Sequence, residues 1–343
     1  MNRELHFQLY SNGNIGMANL MMSAEVGIAI AYLTKRTPIL YAKNGLFNST
    51  KGVSLGDLFD FEGVVFKRET LLSSNLPCLP PNLMQSVITN GKAPSVDFRC
   101  GRSQIVDLSN YGSINTLATS DDKSLGFYSY LFCLHDSERI RVIDRLKTAM
   151  KPKLIYQDAA NSWINYLQNK YGRYNSIQIR RKDYLGQAGT VGASKTMADF
   201  IDVLLAHIPT DELLVIHTDE TDEKYFSVIK RYYTNILLID HELSKQFPDD
   251  AENGLVSMLI AQQSNRFIGT MYSTFAEMIR RKRIQNGLLE EWVYLYSQNE
   301  GIPLHNGRIL EDKTGEYSWN RITMPETQWE MNCWWREWEE CVI

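Results

Sequence analysis

Four short segments carry side chains whose type and spacing could do chemistry. In the first, Ile177-Gln178-Ile179-Arg180-Arg181-Lys182-Asp183-Tyr184, an apolar strand runs straight into three cations and a carboxylate. A guanidinium such as Arg180 can bind a diphosphate bidentately and stabilise charge on a leaving group. Asp183 is the neighbouring candidate base, although an ion pair with Arg181 would lower its pKa. In the second, Asn265-Arg266-Phe267-Ile268-Gly269-Thr270-Met271-Tyr272-Ser273-Thr274-Phe275-Ala276-Glu277, a strand turns into a helix. Ser273 or Thr274 can cap that helix, Thr274-x-x-Glu277 fits a capping box, and the free amides at its start suit an anion. The third, Gly13-Asn14-Ile15-Gly16, lies between a strand and a helix, where glycines allow the backbone to approach a phosphate or a sugar. It is not the GxGxxG dinucleotide fingerprint. The fourth, His217-Thr218-Asp219-Glu220, ends a strand with carboxylates that can accept hydrogen bonds from a ribose or a base, or cap the next helix.

The elements that must hold these segments alternate. A strand over 5–10, a glycine turn, a helix over 17–34 apolar on most faces, and a strand over 38–41 make a βαβ unit. The stretch 71–121 reads as loop-rich, with Pro77, Pro80 and Pro81 close together. Helices are predicted over 138–150 and 157–171, separated by a break at Lys151-Pro152-Lys153. Beyond them come strands over 176–180, 213–217, 236–240 and 266–269, and helices over 195–207, 222–233, 254–263 and 273–283. Four βα units in succession argue for a doubly wound parallel sheet. The polar stretch 169–175 marks the expected boundary between an amino-terminal domain, 1–170, and a second domain, 171–310. In the tail, 311–343, Met331, Trp334, Trp335, Trp338 and Val342 share a helical face, which reads as packing on the body or as a dimer or partner surface.

Composition bounds the function. The 343 residues are 44% hydrophobic and 22% charged, ordinary for a globular protein. Against 40 acidic residues stand 36 basic ones, a net charge of −4 that gives no footprint for nucleic acid. Cys78, Cys100, Cys133, Cys333 and Cys341 form no CxxC pair, and no histidine pair has metal spacing. The expectation is a cytoplasmic chain with no signal peptide, no transmembrane segment and no metal. There is no GxSxG elbow and no Walker A loop.

In this order, the motifs resemble the protein O-fucosyltransferase-like superfamily. Gly13-Asn14-Ile15-Gly16 and Arg36-Thr37-Pro38-Ile39-Leu40 look like its glycine loop and following strand. Gln178-Ile179-Arg180-Arg181-Lys182-Asp183 looks like its HxRxxD segment, with Gln178 in the histidine position. His217-Thr218-Asp219-Glu220 looks like its ATDE segment. Ser273-Thr274-Phe275 looks like its STF segment. The resemblance implies an α/β GT-B fold of two Rossmann-like domains facing a central cleft. It implies a glycosyltransferase that moves fucose, with inversion, from a GDP-fucose donor to a protein, peptide or glycan acceptor. Arg180 would then meet the diphosphate, and Ser273, Thr274 and Phe275 the β-phosphate. Gly13, Asn14 and Gly16 would approach the sugar, Arg283 would support the phosphate, and Asp219 or Asp240 would pair with guanine. The family asparagine after the loop is Met17 here, and a family helix carboxylate is Ser257.

Overall fold

The computed structural model describes residues 4–9, 16–33, 35–42, 46, 49–69, 116–118, 136–181, 198–270, 273–288, 293–296, 303–305 and 308–309. They fall into two compact units, one drawn from 1–153 and the other from 154–323. The loop-rich stretch over 71–121 lies outside the described residues except at 116–118, and the tryptophan-rich tail lies wholly outside them.

In the first unit, β1 (Glu4–Gln8), α1 (Met17–Leu33) and β2 (Thr37–Tyr41) form the βαβ unit predicted from sequence. Helix α1 is long because it is rich in Ala, Leu and Met and free of proline. Its end is a Schellman closure: Arg36 N–H donates to Ala31 O at 2.8 Å and Lys35 N–H to Tyr32 O at 3.0 Å, with Lys35 at φ 53°. Pro38 lies just beyond, where a helix could not continue. Further on come α2 (Leu55–Leu58), β3 (Phe59–Phe61), β4 (Val65–Lys67), β5 (Thr116–Ala118), α3 (Asp136–Ala149) and β6 (Met150–Pro152). The sheet order is β4-β2-β1-β5, all parallel. The predicted break at Lys151-Pro152-Lys153 is a short strand instead: β6 pairs antiparallel with β3, setting Phe61 against Met150. A two-stranded ribbon has edges, where a proline is tolerated.

The second unit opens with α4 (Leu154–Tyr171), which packs against α7 (Asp250–Gln262) and so belongs with it. The division at 153/154 thus falls one helix ahead of the polar stretch 169–175. Next in order are β7 (Tyr174–Ile179), α5 (Ala198–His207), β8 (Leu213–Thr218), β9 (Ile236–Leu238) and α6 (Ile239–Leu243). After α7 follow β10 (Phe267–Thr270), α8 (Thr274–Gln285), β11 (Val293–Tyr296), β12 (Pro303–His305) and β13 (Arg308–Ile309). The sheet order is β13-β12-β11-β10-β7-β8-β9, parallel from β11 to β9 with an antiparallel edge. Chain order reverses between β7 and β10, so the topological switch point lies at their carboxyl ends. Ile177, Ile179, Leu214, Ile216, Leu204, Phe226 and Ile229 form the core on one side.

Two expected elements differ. The predicted helix over 222–233 is a pair of 3-10 turns, Glu223–Ser227 and Ile229–Arg231. Phe226, Ile229 and Tyr233 are all buried, and their spacing serves either helix type. The strand expected over 236–240 ends at Leu238, because Asp240 already belongs to α6.

Gly27 shows how tightly α1 lies on its sheet. A Cβ there would come within 2.8 Å of the buried Phe7 ring and 3.0 Å of Leu40. Gly27→Ala is expected to destabilise the protein by about 1–3 kcal/mol, the usual cost of overpacking. Urea denaturation reads it, and an unchanged midpoint would show that Phe7 has room to move.

Candidate functional site

The switch point of the second unit gathers the charged segments. Pairing of Gln178 with His217 and of Ile179 with Thr218 puts Arg180 level with Asp219 at the sheet edge. Arg180 Nε lies 3.5 Å from Asp219 Oδ2, and the two side chains are only 23% and 19% exposed. Arg181 Nε lies 2.9 Å from Glu220 Oε2, and its guanidinium stacks 3.9 Å from the centre of the Tyr225 ring. The Arg181 backbone N–H donates to Asp219 Oδ1 at 2.7 Å. Two consecutive arginines therefore face two consecutive carboxylates, and in this half-buried setting each pair is worth more than a surface ion pair.

Thr270, at the end of β10, ties the neighbouring strand into this arrangement. Its hydroxyl donates to Gln178 O at 2.7 Å and accepts from Arg180 N–H at 3.3 Å, while its own N–H donates to Gln178 Oε1 at 3.2 Å. Gln178 is thus a buried brace between β7 and β10. Ser273 N–H donates to Thr270 O at 3.2 Å, and Ser273 Oγ accepts from Ala276 N–H at 3.3 Å. Ser273 is therefore the cap of α8, and Thr274 is its first helical residue rather than the cap. Thr274 and Phe275 follow, both partly exposed. Through Thr270, Arg180 and the amino terminus of α8 share one corner of the sheet. A guanidinium beside a helix amino terminus attracts anions.

Beneath the corner runs a buried polar chain. His217 Nε2 lies 3.0 Å from Ser176 Oγ, and His217 Nδ1 lies 2.7 Å from Ser257 Oγ on α7. Burial pulls the His217 pKa down to about 3, so the ring is neutral. Ser257 also hydrogen-bonds the Asp240 carboxyl. Asp240 Oδ2 accepts from Thr218 N–H at 2.7 Å. Burial pushes the Asp240 pKa up to about 6, against the lowering effects of Ser257, Thr218 and His241.

Among the other candidates, Gly16 begins α1, its carbonyl accepting from Leu20 N–H at 3.3 Å. Gly13, Asn14 and Asp183 lie outside the described residues. Arg283 is not brought to the corner. It is fully buried, and its Nη1 donates to the carbonyls of Ala261, Gln262 and Ser264, its Nη2 to Asn265 O at 3.0 Å. Those carbonyls close the carboxyl end of α7 and precede β10, at the opposite edge of the sheet. Burial pulls the Arg283 pKa down to about 10, yet the charge persists at neutral pH. The residues that sequence reasoning missed are Thr270 as a brace and Tyr225 as the face under Arg181. Ser176, a hydroxyl inside an otherwise apolar strand, is the one whose position signalled a buried partner.

A parallel sheet whose chain order reverses at a charged edge defines a doubly wound α/β domain. Solved structures similar to the whole chain are fucosyltransferases. The fucosyltransferase NodZ from Bradyrhizobium is 14% identical with a TM-score of 0.50, over 89% of this chain and 100% of that chain. The alpha-1,6-fucosyltransferase NodZ soaked with GDP-fucose is 12% identical with a TM-score of 0.51, over 89% of this chain and 100% of that one. A mutant of Arabidopsis thaliana FUT1 in complex with GDP is 13% identical with a TM-score of 0.53, over 88% of this chain and 71% of that chain. The likeness implied by the motifs is thereby met at the level of fold. No protein-family model and no curated protein matches the sequence. Among the described residues, no helix is long and apolar enough to cross a membrane.

Arg283→Met leaves four backbone carbonyls short of a donor in the interior. It is expected to cost about 3 kcal/mol or more, as for breaking a buried charged network. Chemical denaturation measures it, and a loss below about 1 kcal/mol would show that water or a neighbour replaces the guanidinium.

Proposed function

We propose that this chain is an inverting glycosyltransferase that moves fucose from GDP-fucose to a hydroxyl of a protein, peptide or glycan acceptor. Its two units would be arranged as the halves of a GT-B enzyme, with the donor on residues 154–323. The observation that carries this reading is the corner built by Arg180, Thr270 and Ser273 at the switch point of a doubly wound sheet. The fold shared with fucosyltransferases supports it.

The chemistry asked of the site is to neutralise charge growing on the β-phosphate as the glycosidic bond breaks. Arg180 can offer two parallel N–H bonds to phosphate oxygens, and the first amides of α8 can offer more. Both belong to rigid strand and helix ends, so little reorganisation is needed at the moment of reaction. No metal is required for this charge balance. Asp219 plays a double part in the proposal. With no donor bound it holds Arg180 in place. With donor bound, the diphosphate takes the guanidinium, and Asp219 keeps its bond from Arg181 N–H. Asp219 remains the proposed partner of the guanine edge, the Asp240 carboxyl being taken by Thr218 and Ser257. Gly13, Asn14 and Gly16 remain the proposed approach to the sugar, and Asp183 the proposed base. A cytoplasmic location is part of the same proposal.

Arg180→Ala is expected to lower turnover of GDP-fucose by about 10²-fold or more, the scale for losing one charge-stabilising donor. Intact-mass analysis of an acceptor pool, looking for a deoxyhexose increment, gives the readout. Near wild-type turnover in the variant would remove Arg180 from the mechanism. A panel of GDP- and UDP-sugars tests the donor. Tight GDP binding without hydrolysis or transfer of any sugar would make the chain a binding module instead.

A further inference from the structure

We propose that Asp240 is a positioning residue of this site, and that its protonation reverses every donor along the buried chain Asp240–Ser257–His217–Ser176. The proposal rests on the donor-site reading above for its functional consequence; the relay rests on the contacts among these residues and on the burial of Asp240.

Thr218 is the first link between Asp240 and the arginines. Its N–H is held by Asp240 Oδ2 at 2.7 Å, and its hydroxyl accepts from Glu220 N–H at 3.0 Å. The segment so fixed carries Asp219 and Glu220, which seat Arg180 and Arg181. Asp240 touches neither arginine in this chain of contacts. It acts through the backbone of 218–220. The backbone of Asp240 is tied as well, since Asn253 Nδ2 on α7 donates to its carbonyl oxygen at 2.9 Å. The charged and titratable groups around it are His217 and Asp219 on the β8 side and His241 and Glu242 on its own helix. His241 Nε2 lies 3.0 Å from Glu220 O, and Glu242 pairs with Lys245.

The relay argument is one of donor counting. His217 is fully enclosed and neutral, so it has one N–H to place and one lone pair to fill. When Asp240 is ionised it can only accept. Ser257 must then donate to it, His217 must donate from Nδ1 to Ser257, and Ser176 must donate to Nε2. When Asp240 is protonated it can donate to Ser257. Ser257 then donates to His217 Nδ1, and the ring carries its proton on Nε2 and donates to Ser176. The two arrangements differ by one proton, the one on the carboxyl, and in both each bond along the chain has one donor and one acceptor. Burial raises the Asp240 pKa into the range where both states are populated near neutrality. Ionisation of a carboxylate in the first turn of α6 is therefore registered as a tautomer change on a histidine that never becomes charged.

Asp240→Asn freezes one arrangement. The amide oxygen keeps the bond from Thr218 N–H, and the amide nitrogen donates permanently to Ser257, as the protonated acid does. Ring nitrogen NMR of the full chain should show wild-type His217 passing from the Nε2–H to the Nδ1–H tautomer as pH rises through about 6, without an imidazolium signal. The variant should stay Nε2–H throughout. A single tautomer in the wild type across pH 5–8, or a variant that follows the wild type, overturns the relay. The second arm reads GDP binding by calorimetry. Asp240→Asn should weaken it about fivefold at pH 7.5, where a charge-assisted bond to Thr218 becomes a neutral one. At pH 5.5, where the wild-type acid is itself protonated, the two proteins should bind alike. An equal loss at both pH values marks a merely structural role and overturns the positioning claim, as does no loss at either. Absence of GDP binding in wild type would instead strike the donor-site reading, and the NMR result stands apart from it.

Discussion

Arg180 and Arg181 leave the end of β7 side by side, and the end of β8 meets them with Asp219 and Glu220. This register depends on the parallel sheet: Ile179 pairs with Thr218, so the residues that follow must face one another. At an effective dielectric of about 20, opposite charges 4 Å apart attract by about 4 kcal/mol. That is enough to hold two strand ends in a fixed relation after their ladder has stopped. It also solves a problem of burial. Four charged side chains at a partly enclosed edge would each be costly alone, whereas in pairs they keep their charge without full hydration.

The two arginines are nevertheless held differently. Arg181 Nε lies 2.9 Å from Glu220 Oε2 and its guanidinium sits 3.9 Å over the Tyr225 ring, so it is held from two sides. Arg180 meets Asp219 through Nε at 3.5 Å. A guanidinium held through Nε keeps its bidentate edge geometrically distinct from the contact that anchors it. Two cations adjacent in sequence are therefore held in different ways. The opposite edge of the sheet supplies the contrast. Arg283 makes four backbone carbonyls its partners and is entirely enclosed, so its charge does the work of a helix cap from inside the core.

Much of this architecture was readable from residue patterns. The apolar runs of β7, β8 and β10 and their polar continuations located the strands and the edge at which Arg180, Asp219 and Ser273 meet, because a parallel strand buried on both faces must end where polarity begins. The reading failed where local pattern underdetermines structure. Phe226, Ile229 and Tyr233 fit an α-helix as well as the 3-10 turns that form. The resemblance implies that Arg283, in a basic run on the helix that Ser273 caps, supports the phosphate. Ten residues of helix, however, carry a side chain roughly 15 Å from the amino terminus, to the other edge of the sheet. The buried chain through His217 was invisible for a different reason. Its links join residues 40 and 41 positions apart, and only the sheet and α7 bring them together.

The same physics decides how a donor could displace Asp219 without dismantling the edge. In the proposed exchange, the Asp219 carboxylate at 3.5 Å competes for the Arg180 guanidinium against a diphosphate that carries more charge and can accept two parallel bonds. Coulomb energy at fixed separation scales with charge, so doubling the anion's charge roughly doubles the attraction of about 4 kcal/mol. Asp219 loses one contact in the exchange but not its place, because Arg181 N–H still donates to its other oxygen at 2.7 Å. Of these two contacts of the carboxylate, only the one to the guanidinium is transferable. An edge built this way can release a cation to an arriving anion and take it back when the anion leaves, with the backbone of both strands unmoved.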